Sequence, residues 1–343
     1  MARGSRPTLA DVARLSGLSK TAVSLVLNDR PSRLSEEAAG RIRTAADQLG
    51  YRPDPAAQSL RFGKTRSIGF ISDQVTITRF ASAMVRGTLR AAKELDHTVL
   101  IAETGDDLMQ LTESFREMVD RRVDGIVVGL MAARMVDVPT APHGVPVVIV
   151  NGRTPDDLPS VLPDEYEAGH AMASVLLDAG HRRIGLIGDL PAAANPRRSV
   201  TITRRFEGLD ETLSSAGVTP VRVDVDDWNP EVGYREAMRM LPAHPELTAV
   251  IAATDGMAFG IMQALAELGL RVPDDISIVS FDDEDLAAMV RPGLTTARLP
   301  YEEMAHQGVL MLLGERELSH ELLPMPVVTR GSVRTISERV TRP

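Results

Sequence analysis

The sequence predicts two fold classes in one chain: a small all-α headpiece, and behind it an α/β core of two lobes, each a doubly wound parallel sheet. Three observations carry this prediction. The first 50 residues hold short amphipathic helical segments punctuated by Gly17 and Gly50. From Arg66 onward, continuous apolar runs alternate with helical patterns, as strands buried on both faces of a parallel sheet require. Charge divides at the same place: residues 1–66 carry 12 Lys+Arg against 6 Asp+Glu, and the rest carry 26 against 41. A basic head on an acidic body suits a nucleic-acid-binding module, whereas the whole-chain charge of -9 would have hidden it.

In the head, Thr8 caps a first helix running to about Ser16, and Asp11 is placed to return the bond. Gly17 supplies the turn and Ser19 caps a second helix. Leu9, Val12, Ala13 and Leu15 on the first helix meet Val23, Val26 and Leu27 on the second by helical spacing. Lys20, Thr21, Ser24 and Leu25 are left outside. Such a short, polar, basic face, held crosswise on a partner helix, has the geometry of a recognition helix in a DNA major groove. An ordinary solvated hairpin has the same pattern, so the hairpin alone does not decide. Ser35 caps a third helix through Ile42, Ala45, Ala46 and Leu49, which Gly50 ends. Pro53 extends the chain before it, and Asp54 with Pro55 opens one or two helical turns reaching Arg61, too short to stand alone.

In the core, RSIGFIS, HTVLIAE, VDGIVVGL and VPVVIVNG read as strands of lobe one, with helices near Phe80 to Leu95 and Leu108 to Arg121. Lobe two follows with strands HRRIGLIGD, VRVDVDDW, TAVIAATD and ISIVSFDD, interleaved with helices near 168–179, 206–216, 232–241 and 258–269. The division is therefore 1–52 headpiece, 53–65 hinge and linker, and 66–343 core. Lobe one spans about 66–162 plus a late crossover, and lobe two about 163–290.

Ligands of open parallel sheets sit at the carboxyl ends of strands. That rule names Ser72, Asp73, Asn151 and Asp255, with Trp228 after the VDVDD segment and Arg205 opening a helix of lobe two. Each has a plainer role available. Asp255 suits a helix cap, Arg205 a surface ion pair and Trp228 core packing, while Asp282 and Asp283 suit orientation of the crossover between lobes.

TLADVARLSGLSKTAVSLVLN, followed by RLSEEAAGRIRTAADQLGYRPDPAAQSLR, closely resembles the DNA-binding headpiece of LacI-type (lactose and purine repressor) transcriptional regulators. VDGIVV, GHRRIGLIG, TDGMAFG, VPDDISIVSFDD and LTT are similarly typical of that family's periplasmic-binding-protein-like core. The resemblance implies DNA contacts from Thr8, Ser19, Lys20, Thr21, Ala22, Ser24, Leu25, Asn28 and Tyr51, and from Ala57 and Leu60 of a hinge helix that orders when two copies pair over DNA. Leu60 would wedge between central base steps and kink the duplex. It further implies that Arg205 and Asp255 hold effector hydroxyls or carbonyls, with Phe80, Asn151 and Trp228 lining the cleft.

The expected function is an effector-controlled repressor in which two headpieces read a pseudo-palindromic double-stranded operator. A sugar is the preferred effector, since a ring such as Trp228 suits its apolar side. Two departures from the family pattern stand out. Leu25 occupies a place where many relatives carry arginine, so it can meet a thymine methyl but no guanine edge. Leu299-Pro300 occupies a place where some relatives are polar. No leucine heptads follow VTRGSVRT, so a homodimer is expected in place of a tetramer.

The chain has no cysteine, which excludes disulfides and fits a cytoplasmic home. No run approaches the length of a membrane span, and no export signal opens the chain, against the rival reading as a solute-binding protein. Neither a nucleophile elbow, a phosphate-cradling loop nor metal spacing among the seven histidines supports an enzyme, a metal site or a cofactor.

Overall fold

The computed structural model describes residues 7–27, 34–52, 64–76, 79–105, 107–142 and 144–336, with backbone alone at 79 and 80. The chain divides into two compact units, Met1–Arg66 and Ser67–Pro343.

The first unit packs α1 (Leu9–Ser16), α2 (Lys20–Leu27) and α3 (Glu36–Leu49) around Val12, Val23 and Ile42, which are fully buried. Local chemistry sets the ends. Thr8 and Asp11 form a capping box, Ser19 Oγ accepts from Ala22 N at 3.2 Å and Ser35 Oγ from Ala38 N at 3.3 Å. Gly17 and Gly50 close α1 and α3 at φ 70° and 61°, the left-handed region where a side chain is disfavoured. One core assignment is corrected. Leu15 is 51% exposed, and Ser16 is buried in its stead. The stripe Leu9, Val12, Ala13, Ser16 follows the helical repeat, and Leu15 falls about 100° off it.

In the second unit, lobe one contains β1 (Ser67–Ser72), α4 (Arg79–Glu94), β2 (Thr98–Glu103), α5 (Leu108–Asp120), β3 (Ile126–Met135), β4 (Val147–Arg153) and β5 (Ser160–Pro163). Lobe two follows with α6 (Glu165–Asp178), β6 (Ile184–Asp189), α7 (Ile202–Ser215), β7 (Val221–Asp224), α8 (Pro230–Ala243), β8 (Ala249–Ala252), α9 (Asp255–Glu267), β9 (Ser277–Asp282), α10 (Asp285–Met289) and β10 (Thr295–Arg298). The chain then returns to lobe one as α11 (Tyr301–Leu312) and β11 (His320–Leu323), and ends in lobe two with β12 (Val327–Val328). Strand orders are β11-β5-β4-β3-β1-β2 and β12-β10-β9-β8-β6-β7, parallel except for β12. Lobe two thus takes strands well past residue 290, where the apolar pattern of short strands is too weak to read.

Apolar clusters cover both faces of each sheet, which is why the strands read as uninterrupted apolar runs. The helix pair α6–α7 approaches backbone to backbone: a Cβ on Gly169 would lie 2.1 Å from Arg205 O, and one on Gly208 2.1 Å from Tyr166 O. That contact seats Glu165 and Arg205 side by side. Three crossings, near 163–165, 299–300 and 324–326, join the lobes. Among the described residues no helix is long and apolar enough to cross a membrane.

Candidate functional site

On the headpiece, Thr8 is exposed at the start of α1, Ser19, Lys20 and Thr21 are exposed at the start of α2, and Ser24 and Leu25 of α2 are half-buried beside the buried Val23 and Val26. Ala22 and Tyr51 pack partly against the headpiece core. Asn28, Ala57 and Leu60 lie outside the described residues.

In the core, a cavity of about 280 Å³ opens between the lobes. Lobe one contributes Met131 of β3 and Asn151 of β4, and lobe two contributes Thr201, Arg205, Trp228 and Asp282. Glu165, Leu299 and Tyr301, at the crossings, complete its floor. Asn151 is 2% exposed and adopts φ 60°, a conformation asparagine tolerates better than most residues. Its Nδ2 donates to Leu130 O at 2.9 Å and Met131 O at 3.3 Å, which fixes the amide's orientation. Oδ1 is then left buried without a donor. Across the cavity, Thr201 precedes α7, but its hydroxyl makes no capping bond and is likewise buried and unpaired. Leaving a buried polar group unmet costs about 1–3 kcal/mol, so these two atoms ask for a partner.

Arg205 is no surface residue: it is 2% exposed, with Nε and Nη2 donating to the two Glu165 oxygens at 2.6 and 2.8 Å and Nη1 to Ala253 O at 2.6 Å. Phe281 and Trp228 lie on the guanidinium at 4.2 and 5.4 Å from their ring centroids. The expected hold of Arg205 on effector hydroxyls is therefore narrowed. Glu165 already fills the fork, and only the remaining N–H groups of Arg205 can turn elsewhere. Trp228 donates its Nε1 to Gly188 O at 2.9 Å, so it offers the cavity its ring alone.

Asp282 is corrected in the other direction. It lines the cavity, and no hydrogen bond reaches its carboxyl among the described residues. Burial pushes that carboxyl well above the ordinary carboxylate range, with Arg205 opposing the rise. Asp255 does not line the cavity. It is fully buried behind the wall, accepting from Ser280 Oγ and, at 2.7 Å, from Glu284 N. Burial raises its pKa to about 6. Its neighbour Thr254 both caps α9 and faces the cavity.

Ser72 and Asp73 line a separate cavity of only about 20 Å³ at the strand ends of lobe one. Asp73 there accepts from Met131 N at 3.0 Å and pairs with Arg134 at 3.3 Å. The backbone of Phe80 lies in the first turn of α4, and its side chain is outside the described atoms.

Similarity to known proteins agrees with this arrangement. The family described as "Bacterial regulatory proteins, lacI family" matches residues 8–54, and "Periplasmic binding protein-like domain" matches 173–333. The chain is 31% identical over 316 residues to the ribose operon repressor of Escherichia coli (strain K12), covering 89% of this chain and 92% of that one. It is 30% identical over 342 residues to the transcriptional repressor PurR of Pectobacterium carotovorum subsp. carotovorum (strain PC1), covering 95% and 96%.

The chain belongs to the lacI family of bacterial regulatory proteins.

A solved lac repressor dimer bound to operator and the anti-inducer ONPF superposes with a TM-score of 0.76 at 25% identity, covering 96% of this chain and all of that one. The regulator CelR in complex with cellobiose gives a TM-score of 0.64 at 25% identity, covering 95% and 100%. As a lacI-family member, the protein is a DNA-binding transcriptional regulator of the repressor type, with a helix-turn-helix head and a two-lobed α/β core. The relatives named here are repressors and regulators, which sets the solute-binding reading aside.

Within the lacI-family core, the structure brings Asn151, Arg205 and Trp228 to one cavity and leaves Ser72, Asp73 and Asp255 outside it. Thr201, Glu165 and Tyr301 escaped the sequence reading. Thr201 had a legible signal, a hydroxyl residue just ahead of the helical ITRRF run. Glu165 and Tyr301 had none, because nothing local marks them as lying where the chain changes lobes. Among the described residues there is no cluster of three or more metal-ligating side chains.

Proposed function

We propose that this regulator works as a dimer whose affinity for a pseudo-palindromic DNA operator is set by a small molecule held between the lobes. The observation that carries this reading is the pair of unmet polar atoms. Asn151 Oδ1 belongs to lobe one and Thr201 Oγ1 to lobe two, so a ligand that satisfies both ties the lobes together. Such a ligand binds one lobe arrangement better than another, and that differential affinity is what shifts a two-state equilibrium. The change passes to DNA through residues 53–65, whose paired hinge segments bend the operator centre with Leu60. Lys20, Thr21, Ser24 and Leu25 form the base-reading face, and Thr8, Ser19, Ala22, Asn28, Tyr51 and Ala57 the remaining DNA contacts.

Dimerisation is supported by exposed apolar side chains on and beside the β2 edge: Leu89 of α4, Ile101 of β2, and Leu108 and Met109 opening α5, Met109 being 80% exposed. A polyol is the first effector class to try, because the Trp228 ring can cover its apolar face. The protein acts in the cytoplasm, where the operator is.

Selection of bound duplexes from a random-sequence pool, followed by gel shift and sedimentation of the full chain, tests this reading. It expects recovery of palindromic half-sites bound by a dimer at physiological salt. Recovery of no preferred sequence would end it.

A further inference from the structure

Strand β3 leaves its ladder before it ends. Between the pairs Gly129–Val150 and Arg134–Gly152, β3 runs five residues to the two of β4, and the excess bulges into the cleft wall as Met131, Ala132 and Ala133. Lobe one fixes this bulge from behind. Asp73 accepts from Met131 N at 3.0 Å and pairs with Arg134, and the Tyr301 hydroxyl donates to Met131 O at 2.7 Å. Facing it in lobe two is the loop 195–201, which is bonded largely to itself. Asn195 O accepts from Arg198 N and Ser199 N at 2.8 and 3.0 Å, and Ser199 Oγ from Thr201 N and Ile202 N at 3.2 and 3.0 Å, so the loop moves in one piece with the start of α7.

Bulge and loop meet through backbone and charge. Val200 N donates to Ala133 O at 2.7 Å and Met135 N to Pro196 O at 2.8 Å, while Arg197 Nη1 and Nη2 donate to the two Asp137 oxygens at 2.5 and 3.4 Å. The chain crossings hold the lobes covalently, whereas this junction holds them only while its bonds are made. Among the described residues lining the cavity, only Ala132 and Arg198 are exposed, so the cavity meets the surface beside the junction.

We infer that the bulge and the loop form a latch across the mouth of the cleft, which must open for a molecule to enter or leave, and that the Arg197–Asp137 pair sets how often it opens. Both side chains of the pair are about half exposed, at 57% and 49%, so salt screens their attraction and its loss costs the fold little. The gate acts on any molecule that exchanges with the cleft; that this molecule is the effector rests on the function proposed above. Opening frees the N–H groups of Val200 and Met135 and uncovers the ring of Trp228, the sole tryptophan of the chain.

Two readouts on the full chain test the latch. Hydrogen exchange, followed by mass spectrometry of peptides spanning 131–137 and 195–202, reports opening, and acrylamide quenching of Trp228 fluorescence reports access. Asp137→Lys sets two cations face to face, and should speed exchange in both peptides by up to about 5-fold and raise the quenching constant about 2-fold, the scale of one exposed ion pair. Adding Arg197→Asp restores an opposite pair and should return both readouts to the parent level, a rescue that local damage would not give. Raising salt from about 0.05 M to about 0.5 M should speed exchange in the parent and leave Asp137→Asn unmoved. Faster exchange with unchanged quenching overturns the gate, since the junction would then be a brace and another route would serve the cavity. Equal exchange in the parent and Asp137→Lys, or no rescue by the swapped pair, overturns control by the ion pair. Neither readout uses an effector or DNA, so their failure would leave the proposed function standing.

Discussion

Two cavities of the core lie at the carboxyl ends of parallel strands, and they differ in what their polar groups are already doing. At the end of β1, Asp73 is met by Met131 N and Arg134, and the space beside it holds little more than one water. Between the lobes, Asn151 Oδ1 and Thr201 Oγ1 are buried with no partner, beside a cavity of about 280 Å³. Position at a strand end is common to both. Unmet hydrogen-bonding capacity separates them, and on the proposed function it separates a polar residue that holds the fold from one left with capacity for a ligand.

The strongest way to break this contrast is at the one charge pair in the cleft that is fully satisfied. Glu165→Ala leaves the Arg205 guanidinium buried and unpaired, and should cost roughly 3–5 kcal/mol in urea unfolding. A loss below about 1 kcal/mol would mean that Arg205 is free to serve a ligand after all.

Next comes a pH effect behind the wall. Asp255 has a folded pKa of about 6 against an ordinary 3.8, so its protonated form is favoured by folding. Its ionisation therefore takes stability away as pH rises from about 4 to about 6, by about 3 kcal/mol in all, and the deficit stays constant above that. The Tm difference between Asp255→Asn and the parent should move in the variant's favour across this window. A flat difference would show that the carboxylate is ionised at no such cost.

At the small cavity, Asp73→Ala strips the acceptor from Met131 N and should cost about 1–3 kcal/mol of stability, with a smaller effect on ligand affinity passed through Met131, which also lines the cleft. Calorimetric titration alongside unfolding separates the two readouts. Opposite in sign is Thr201→Val, expected to stabilise the ligand-free protein by up to about 1–3 kcal/mol, because it removes a buried hydroxyl that has no partner, and yet to weaken the ligand.

Much of the headpiece was legible because its determinants are local. Thr8, Ser19 and Ser35 cap within three residues of themselves, and Gly17 and Gly50 mark the turns. Strands buried on both faces were equally plain. The cleft was legible in part. Asn151 and Trp228 were named from their place after strands, but the strand-end rule is blind to which way a side chain turns. It placed Asp255 in the site, whereas Ser280 and Glu284 N hold that carboxylate behind the wall and Thr254 faces the cavity. The partner of Arg205 lies 40 residues away on another helix, brought near by the Gly169–Gly208 approach, and no local pattern reports such a pairing. Leu15 was misplaced for a simpler reason, a helical angle taken too loosely.

The central claim is that occupancy of the cleft between Asn151 and Thr201 governs the grip of the head on DNA. The direct measurement is fluorescence anisotropy of the full chain on its selected palindromic duplex, with and without a ligand that raises Tm, for the parent and for Thr201→Val. The account predicts a ligand-dependent change of about 5-fold or more in operator affinity for the parent, the scale of an ordinary coupling free energy, with a higher ligand concentration needed in the variant. Equal operator affinity with and without saturating ligand, or the same ligand dependence in both proteins, would contradict it.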